Sequence, residues 1–113
     1  MSCIFCRIAS GEIPSDLLYS DEHVVAFRDI EPKAPVHVLI IPREHVASTE
    51  ELEEAHEPIV GRLFSAARVI ARSENVAVSG YRLTVNTGRD ASQSVPHLHV
   101  HLMGGRGFSW PPG

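Results

Sequence analysis

Alternation of apolar and polar positions marks the strands of this chain. From Val36 to Pro42 the residues Val36, Val38 and Ile40 fall on one side, and His37, Leu39 and Ile41 on the other. Both sides are apolar except at His37, which predicts a strand in a sheet covered on both faces. One cover is the long helix, and a bound ligand could supply part of the other. Tyr81–Thr87 alternates in the same way. Shorter strands are predicted near Leu17–Ser20 and His23–Asp29, with Asp21-Glu22 as their turn. The last alternating stretch, Ser94–Met103, sets His97, His99 and His101 against Leu98, Val100 and Leu102. Pro96 suits the first position of that strand, where its missing N–H is tolerated.

Helical spacing appears in three places. Ile4, Phe5 and Ile8 give a short helix over residues 4–10, stopped by Gly11. Ser48 with Glu51 three residues later has the form of a capping box and predicts a helix start. Pro58 either ends that helix or occupies the first turn of the next. From Ile59 to about Glu74 one stripe runs through Ile59, Leu63, Ala66 and Ile70, and a second through Val60, Phe64, Ala67 and Ala71. So wide an apolar surface predicts a helix packed on the sheet along one side and on a partner chain along the other.

The histidine stretch changes the picture from packing to chemistry. On a strand the three imidazoles share one face at spacings of about 6.5–7 Å, while the intervening apolar residues enter a core behind them. Three buried histidines in register leave several ring nitrogens needing partners, which no packing argument requires. Near neutral pH an imidazole can be nucleophile, general acid or hydrogen-bond donor. Attack on phosphorus by one neutral histidine, with neighbours holding the oxygens, is one use of such a face. A metal site with His97, His99 and His101 as ligands is the other, and chemistry alone leaves the two nearly balanced. The loop Gly88–Ser94 supplies hydroxyls, an amide and backbone donors beside the imidazoles, as an anionic phosphate requires. In that setting His37 reads as a functional residue too.

Composition narrows the partners. The 113 residues suit one domain, 1–113, with a single core that dimerisation would enlarge. A formal net charge of −4 excludes a general nucleic-acid binder. The acidic cluster Glu50, Glu51, Glu53, Glu54 and Glu57 reads as a solvated helix start. No apolar run approaches a membrane span, and the N-terminus lacks the regions of a signal peptide, so a cytoplasmic location is expected. The two cysteines, Cys3 and Cys6, have the C-x-x-C spacing of a metal site or redox pair.

The block Gln93–Met103 resembles the His-x-His-x-His signature of the histidine triad (HIT) family. Phe5–Ile8, Gly11–Pro14, Ala26–Ile30, Ala34–Pro42 and Trp110–Gly113 are similar, in order, to the nucleotide-binding Hint branch, in its bacterial type with an N-terminal C-x-x-C. The resemblance implies an α+β fold with a five-stranded antiparallel sheet, one long helix and one or two short ones. It also implies a homodimer with an extended ten-stranded sheet. The implied activity is that of a purine nucleoside phosphoramidase, cleaving nucleoside 5′-monophosphoramidates through a nucleotidyl-histidine intermediate. By position His99 is the nucleophile, assisted by His37, His97 and His101, with Ser94 near the leaving group. Gln93 and Asn86 are implied phosphate or ribose contacts and Asp29 a ribose-hydroxyl acceptor. Phe5, Ile8, Ile30 and Leu39 would enclose the base, and Trp110 would shape the leaving-group pocket. No cofactor is implied for catalysis, but Cys3, Cys6, His45 and His97 match a structural zinc set. Ser92 departs from the glycine that animal members carry beside Gln93. Other functions carried forward are a dinucleoside polyphosphate hydrolase, against which the tail Trp110–Gly113 speaks, and a nucleotide-binding sensor or adaptor with incidental hydrolysis.

Overall fold

A computed structural model describes residues 3–113. The elements run α1 (Ile4–Ala9), β1 (Leu17–Ser20), β2 (Val24–Arg28), β3 (Val36–Pro42), α2 (Glu57–Ser73), β4 (Tyr81–Thr84) and β5 (Val100–Gly104). The strands form one sheet in the order β1-β2-β3-β5-β4, with every pair antiparallel. The chain crosses the sheet on α2 and enters β4 at the far edge. It then returns as β5 between β3 and β4, so the histidine stretch is central.

The two faces have separate cores. Val24, Ala26, Val38, Ile40, Leu98, Val100 and Leu102 turn toward α2, which contributes Leu63, Ala66, Ala67, Ile70 and Ala71. On the other face Val25, Phe27, Leu39 and Ile41 pack against Phe5 and Ile8 of α1. The β3 alternation therefore reads as predicted, and α1 supplies much of the second cover. Arg43 fastens this helix. Its guanidinium donates to Ala9 O at 2.6 Å, Asp21 O at 2.7 Å and Ser20 Oγ at 2.8 Å, joining α1 to the β1–β2 hairpin. On α2, Phe64 and Val69 remain about half-exposed.

Three expectations need correction. Ser48 caps only a 3-10 turn, Thr49–Glu51, by accepting from Glu50 N at 3.1 Å; Leu52 is extended and ends it. A second turn, Glu54–His56, precedes α2, and Pro58 lies in the first turn of α2, where no intrahelical N–H bond is lost. The histidine strand begins at Val100 and not at Pro96, because the backbone bends over Val95–His97. There Leu98 N donates across to Val46 O at 2.7 Å instead of joining the ladder. With its partner so shortened, β4 ends at Thr84, which pairs with His101.

Ser92 occupies the left-handed region at φ 62°, ψ 42°, closing the 3-10 turn Arg89–Ala91. A serine there carries steric strain that glycine avoids, partly offset by glycine's greater unfolded-state entropy. Ser92→Gly is expected to stabilise the fold by about 1 kcal/mol, a rise of a few degrees in a thermal melt. An unchanged or lower Tm would remove strain at Ser92 from the account.

Candidate active site

A cleft of about 880 Å³ opens on the sheet face opposite α2. Its floor is β3 and β5, and α1 and the loop after β2 form its walls. His37, His99 and His101 line it, together with Asp29, Ser94, Phe5, Ile8, Ile30 and Leu39. His97, Gln93, Asn86 and Trp110 are not among the lining residues. Strand register explains the meeting of two elements distant in sequence. Leu39 pairs with His101 and His37 with Met103, so His37 and His101 are diagonal neighbours on one face. Their ring centroids lie 5.2 Å apart, and those of His99 and His101 5.0 Å. Phe5 meets His99 edge-on at 5.1 Å.

The hydrogen-bond partners assign the ring protons. His99 Nδ1 lies 2.7 Å from His97 O. A carbonyl only accepts, so Nδ1 carries the proton and the Nε2 lone pair of neutral His99 is free. No group among the described residues bonds that Nε2, yet it is not sealed from solvent, although the residue as a whole is only 4% exposed. Lys33 N donates to His37 Nδ1 at 3.0 Å, which puts the His37 proton on Nε2. That proton is donated to His101 Nδ1 at 3.0 Å, leaving His101 with its proton on Nε2. Asp29 Oδ2 stands 3.4 Å from His37 Nε2, while its Oδ1 accepts from Glu31 N at 2.9 Å. One imidazole thus offers a lone pair and a neighbour offers an N–H.

Burial favours the neutral forms of His37 and His101. It lowers the pKa of His37, with Asp29 opposing and Lys33 adding to the shift. His101 is pushed down to about 4 by burial and by its neighbours His99 and His37, against the attraction of Asp29. A histidine with a depressed folded pKa binds its proton more tightly when unfolded. Between the ordinary 6.5 and about 4 the unfolded chain therefore holds more protons. This contribution to stability is complete above 6.5 and is lost as pH falls through that window. Tm is expected to drop on acidification from pH 7 toward pH 5, and less steeply in His101→Asn. Identical slopes for parent and variant would contradict the assignment.

His97 is fully buried and packs against the start of α1 instead of lining the cleft. Its Nε2 donates to Pro42 O at 2.9 Å, so its Nδ1 lone pair faces Cys3 Sγ at 3.3 Å and Cys6 Sγ at 3.5 Å. Cys6 Sγ also meets His45 Nδ1 at 3.3 Å. The four donors lie within 4.8 Å of one another. Their S–N separations match the edge of about 3.5 Å expected for a tetrahedron with Zn–S near 2.3 Å and Zn–N near 2.0 Å. The residues therefore fit a zinc ion, and the carbonyl behind His97 is the outer partner such a ligand usually has. Asp29, His37 and His101 also bring three donors together. There the Lys33 N–H keeps the proton on His37 Nε2, the atom a metal would need bare.

Gln93 has no amide group to spare. Its Nε2 donates to Ala47 O at 2.8 Å and Val95 O at 3.0 Å, and its Oε1 accepts from Gly88 N at 3.0 Å. It braces the loop that leads to Ser94. Trp110 is 83% exposed in the single chain. Lys33 and Arg43 escaped the sequence reading because each acts through hydrogen bonds that only the folded chain creates.

Fold and cleft together define a small α+β protein with three imidazoles, His37, His99 and His101, gathered in one cleft. The chain belongs to the HIT family, since the HIT domain profile matches residues 10–108. It is 48% identical over 103 residues to the purine nucleoside phosphoramidase of Escherichia coli K12, covering 91% of this chain and 87% of that protein. A 14 kDa zinc-binding protein of Zea mays is 48% identical over 112 residues, covering 97% and 87%. Among solved structures, a HIT family hydrolase from Legionella pneumophila Philadelphia 1 superposes with TM-score 0.97 at 41% identity, covering 99% and 100%.

Proposed function

We propose that this HIT-family hydrolase cleaves the P–N bond of purine nucleoside 5′-monophosphoramidates through a nucleotidyl intermediate on His99. The observation carrying the proposal is the His99 ring, whose Nδ1–H is held by His97 O at 2.7 Å while Nε2 has no partner among the described residues. Nε2 attacks the α-phosphorus, the P–Nε2 bond forms and the P–N bond breaks, and the leaving amine takes up a proton from solvent water. Water then cleaves the P–Nε2 bond and releases the nucleoside monophosphate. His101 Nε2–H donates to a phosphate oxygen as charge develops there, and the His37 Nε2–H bond orients His101. Ser94, on the rim, is placed beside the departing amine. Asp29 accepts from the ribose hydroxyls, and Phe5, Ile8, Ile30 and Leu39 enclose the purine. Gln93, whose amide is bonded to Gly88, Ala47 and Val95, acts by shaping the phosphate loop, and Asn86 is the remaining phosphate or ribose contact. The phosphoramidase name of the 48% identical E. coli relative supports the same reaction class.

Cys3, Cys6, His45 and His97 are proposed to hold a structural zinc, whose chemistry is to cross-link α1 to the histidine stretch. The name of the maize relative and the fit of the four donors support this. All four positions of the ion would be filled by protein, so no catalytic step passes through it. His97 contributes to catalysis through its carbonyl, which orients His99. The chain acts as one HIT domain over 1–113 and as a homodimer. Phe64 and Val69 on α2 and Tyr81 and Val85 at the sheet edge are the exposed apolar residues a second copy would cover, and the exposed Trp110 would then reach the partner's cleft. A cytoplasmic setting suits the free thiols of Cys3 and Cys6. No helix among the described residues is long and apolar enough to cross a membrane.

Assaying adenosine, guanosine and uridine 5′-phosphoramidates side by side tests the substrate class. The purine compounds are expected to turn over with kcat/KM in the ordinary enzyme range, above about 10⁴ M⁻¹s⁻¹. Slow turnover of all three would favour a nucleotide sensor. Faster cleavage of a dinucleoside polyphosphate would favour the other hydrolase reading.

A further inference from the structure

The turn after β5 reaches back to the loop between β2 and β3, and its point of contact is Lys33. Lys33 N donates to His37 Nδ1 at 3.0 Å, and Lys33 O accepts from Arg106 Nε at 3.0 Å. The two bonds belong to successive peptide units, so Arg106 acts on His37 by fixing where the Lys33 backbone sits. Arg106 is itself held in place. Its guanidinium stacks on the Phe108 ring at 4.2 Å and donates to Gly107 O at 3.0 Å. From β4, Arg82 approaches the same ring at 5.1 Å and donates to Ser109 O at 3.0 Å. The preceding Gly105, at φ +88°, packs so closely that a Cβ there would lie 2.9 Å from Pro35 Cβ. Two separate contacts thus clamp one loop.

We propose that Arg106 is a positioning residue for the histidine cleft: by anchoring Lys33 O it keeps Lys33 N–H on His37 Nδ1 and so fixes which His37 nitrogen carries the proton. The inference rests on the reading of His37 and His101 as partners of His99. Without the Lys33 donor, the two neutral forms of His37 compete. In the form with its proton on Nδ1, His37 presents a lone pair at Nε2, and the 3.0 Å bond between the rings survives only if His101 carries its own proton on Nδ1. His101 Nε2 then faces the cleft as a lone pair instead of an N–H donor. Arg106 does not itself line the cleft and meets one lining residue, Lys33, only at its backbone carbonyl, so the effect is expected on the reaction more than on nucleotide binding.

The test pairs kinetics with long-range ¹H–¹⁵N NMR of the histidine rings in Arg106→Ala and Arg106→Lys. The parent is expected to show His37 protonated on Nε2 alone. Arg106→Ala is expected to mix the two forms and to lower kcat about ten- to a hundredfold with KM within about twofold. Arg106→Lys, which keeps a cationic donor, should recover part of both signals. A His37 still protonated only on Nε2 in Arg106→Ala overturns the proposal whatever the rate does; so does an unchanged kcat. If Arg106→Ala does not fold, Arg106→Gln is read by the same criteria. Failure of the parent to cleave phosphoramidates would overturn the functional reading alone, because the NMR signature still decides whether the clamp exists.

Discussion

His99→Ala is expected to abolish turnover while leaving nucleotide binding in place. Among the described residues the ring supplies the one cleft imidazole nitrogen that carries neither a proton nor a protein partner, given the bonds at His97 O, Lys33 N and His37. Without it no covalent intermediate forms, and kcat should fall at least about a thousandfold, a loss of some 4 kcal/mol of transition-state stabilisation. Phe5, Ile8, Ile30, Leu39 and Asp29, the proposed base and ribose contacts, remain, so nucleoside monophosphate should bind within a fewfold of the parent, as read by calorimetry. His101→Ala should cost less, because it removes a donor and not the nucleophile. A His99→Ala variant with parental kcat would remove the mechanism altogether.

Removal of the thiols is expected to have the largest effect on stability. Cys3 and Cys6 sit at the start of α1, and His97 lies at the bend that feeds β5. Zinc held by these residues and His45 would tie the N-terminal helix to the centre of the sheet. Ions at structural sites contribute a large share of the folding free energy of small proteins. A Cys3→Ala/Cys6→Ala variant should retain no zinc by elemental analysis and lose at least about 3 kcal/mol, a fall in Tm of roughly 10 °C or more. Loosening α1 also moves Phe5 and Ile8, so weaker nucleotide binding should accompany the lost stability. A zinc-free parent, or a double variant with parental Tm, would contradict the structural role.

The sheet was legible because its strands obey a strict period of two and its long helix a period of 3.6. His37, Leu39 and Ile41 face the cleft side as their alternation predicts, and Leu98, Val100 and Leu102 enter the α2 core. The elements that misled are those where a local signal competes with tertiary bonding. Ser48 and Glu51 look like a helix start, but the chain leaves the turn at Leu52. Pro96 looks like a strand start, but Leu98 bonds Val46 and the ladder waits until Val100.

The candidate site was legible in its residue types and less so in their division of labour. Three alternating histidines announce a common face. Spacing alone did not reveal that His97 is turned to the cysteines with Nε2 on Pro42 O, since that depends on a bend near the end of the strand. Nor could it reveal the proton positions, which follow from the single carbonyl or N–H that each ring meets. Asp29 and Ser94 lie on the cleft, whereas Gln93 spends its amide on Gly88 and Val95 of its own loop and on Ala47 after β3.

The most direct measurement is to mix the protein with adenosine 5′-phosphoramidate, quench within a turnover and locate the nucleotidyl group by peptide mass spectrometry. The account predicts an adduct on His99, bonded through Nε2 and lost on longer incubation, and none in His99→Ala. Active protein whose adduct sits on another histidine, or which turns over at the same rate with His99 absent, would contradict it.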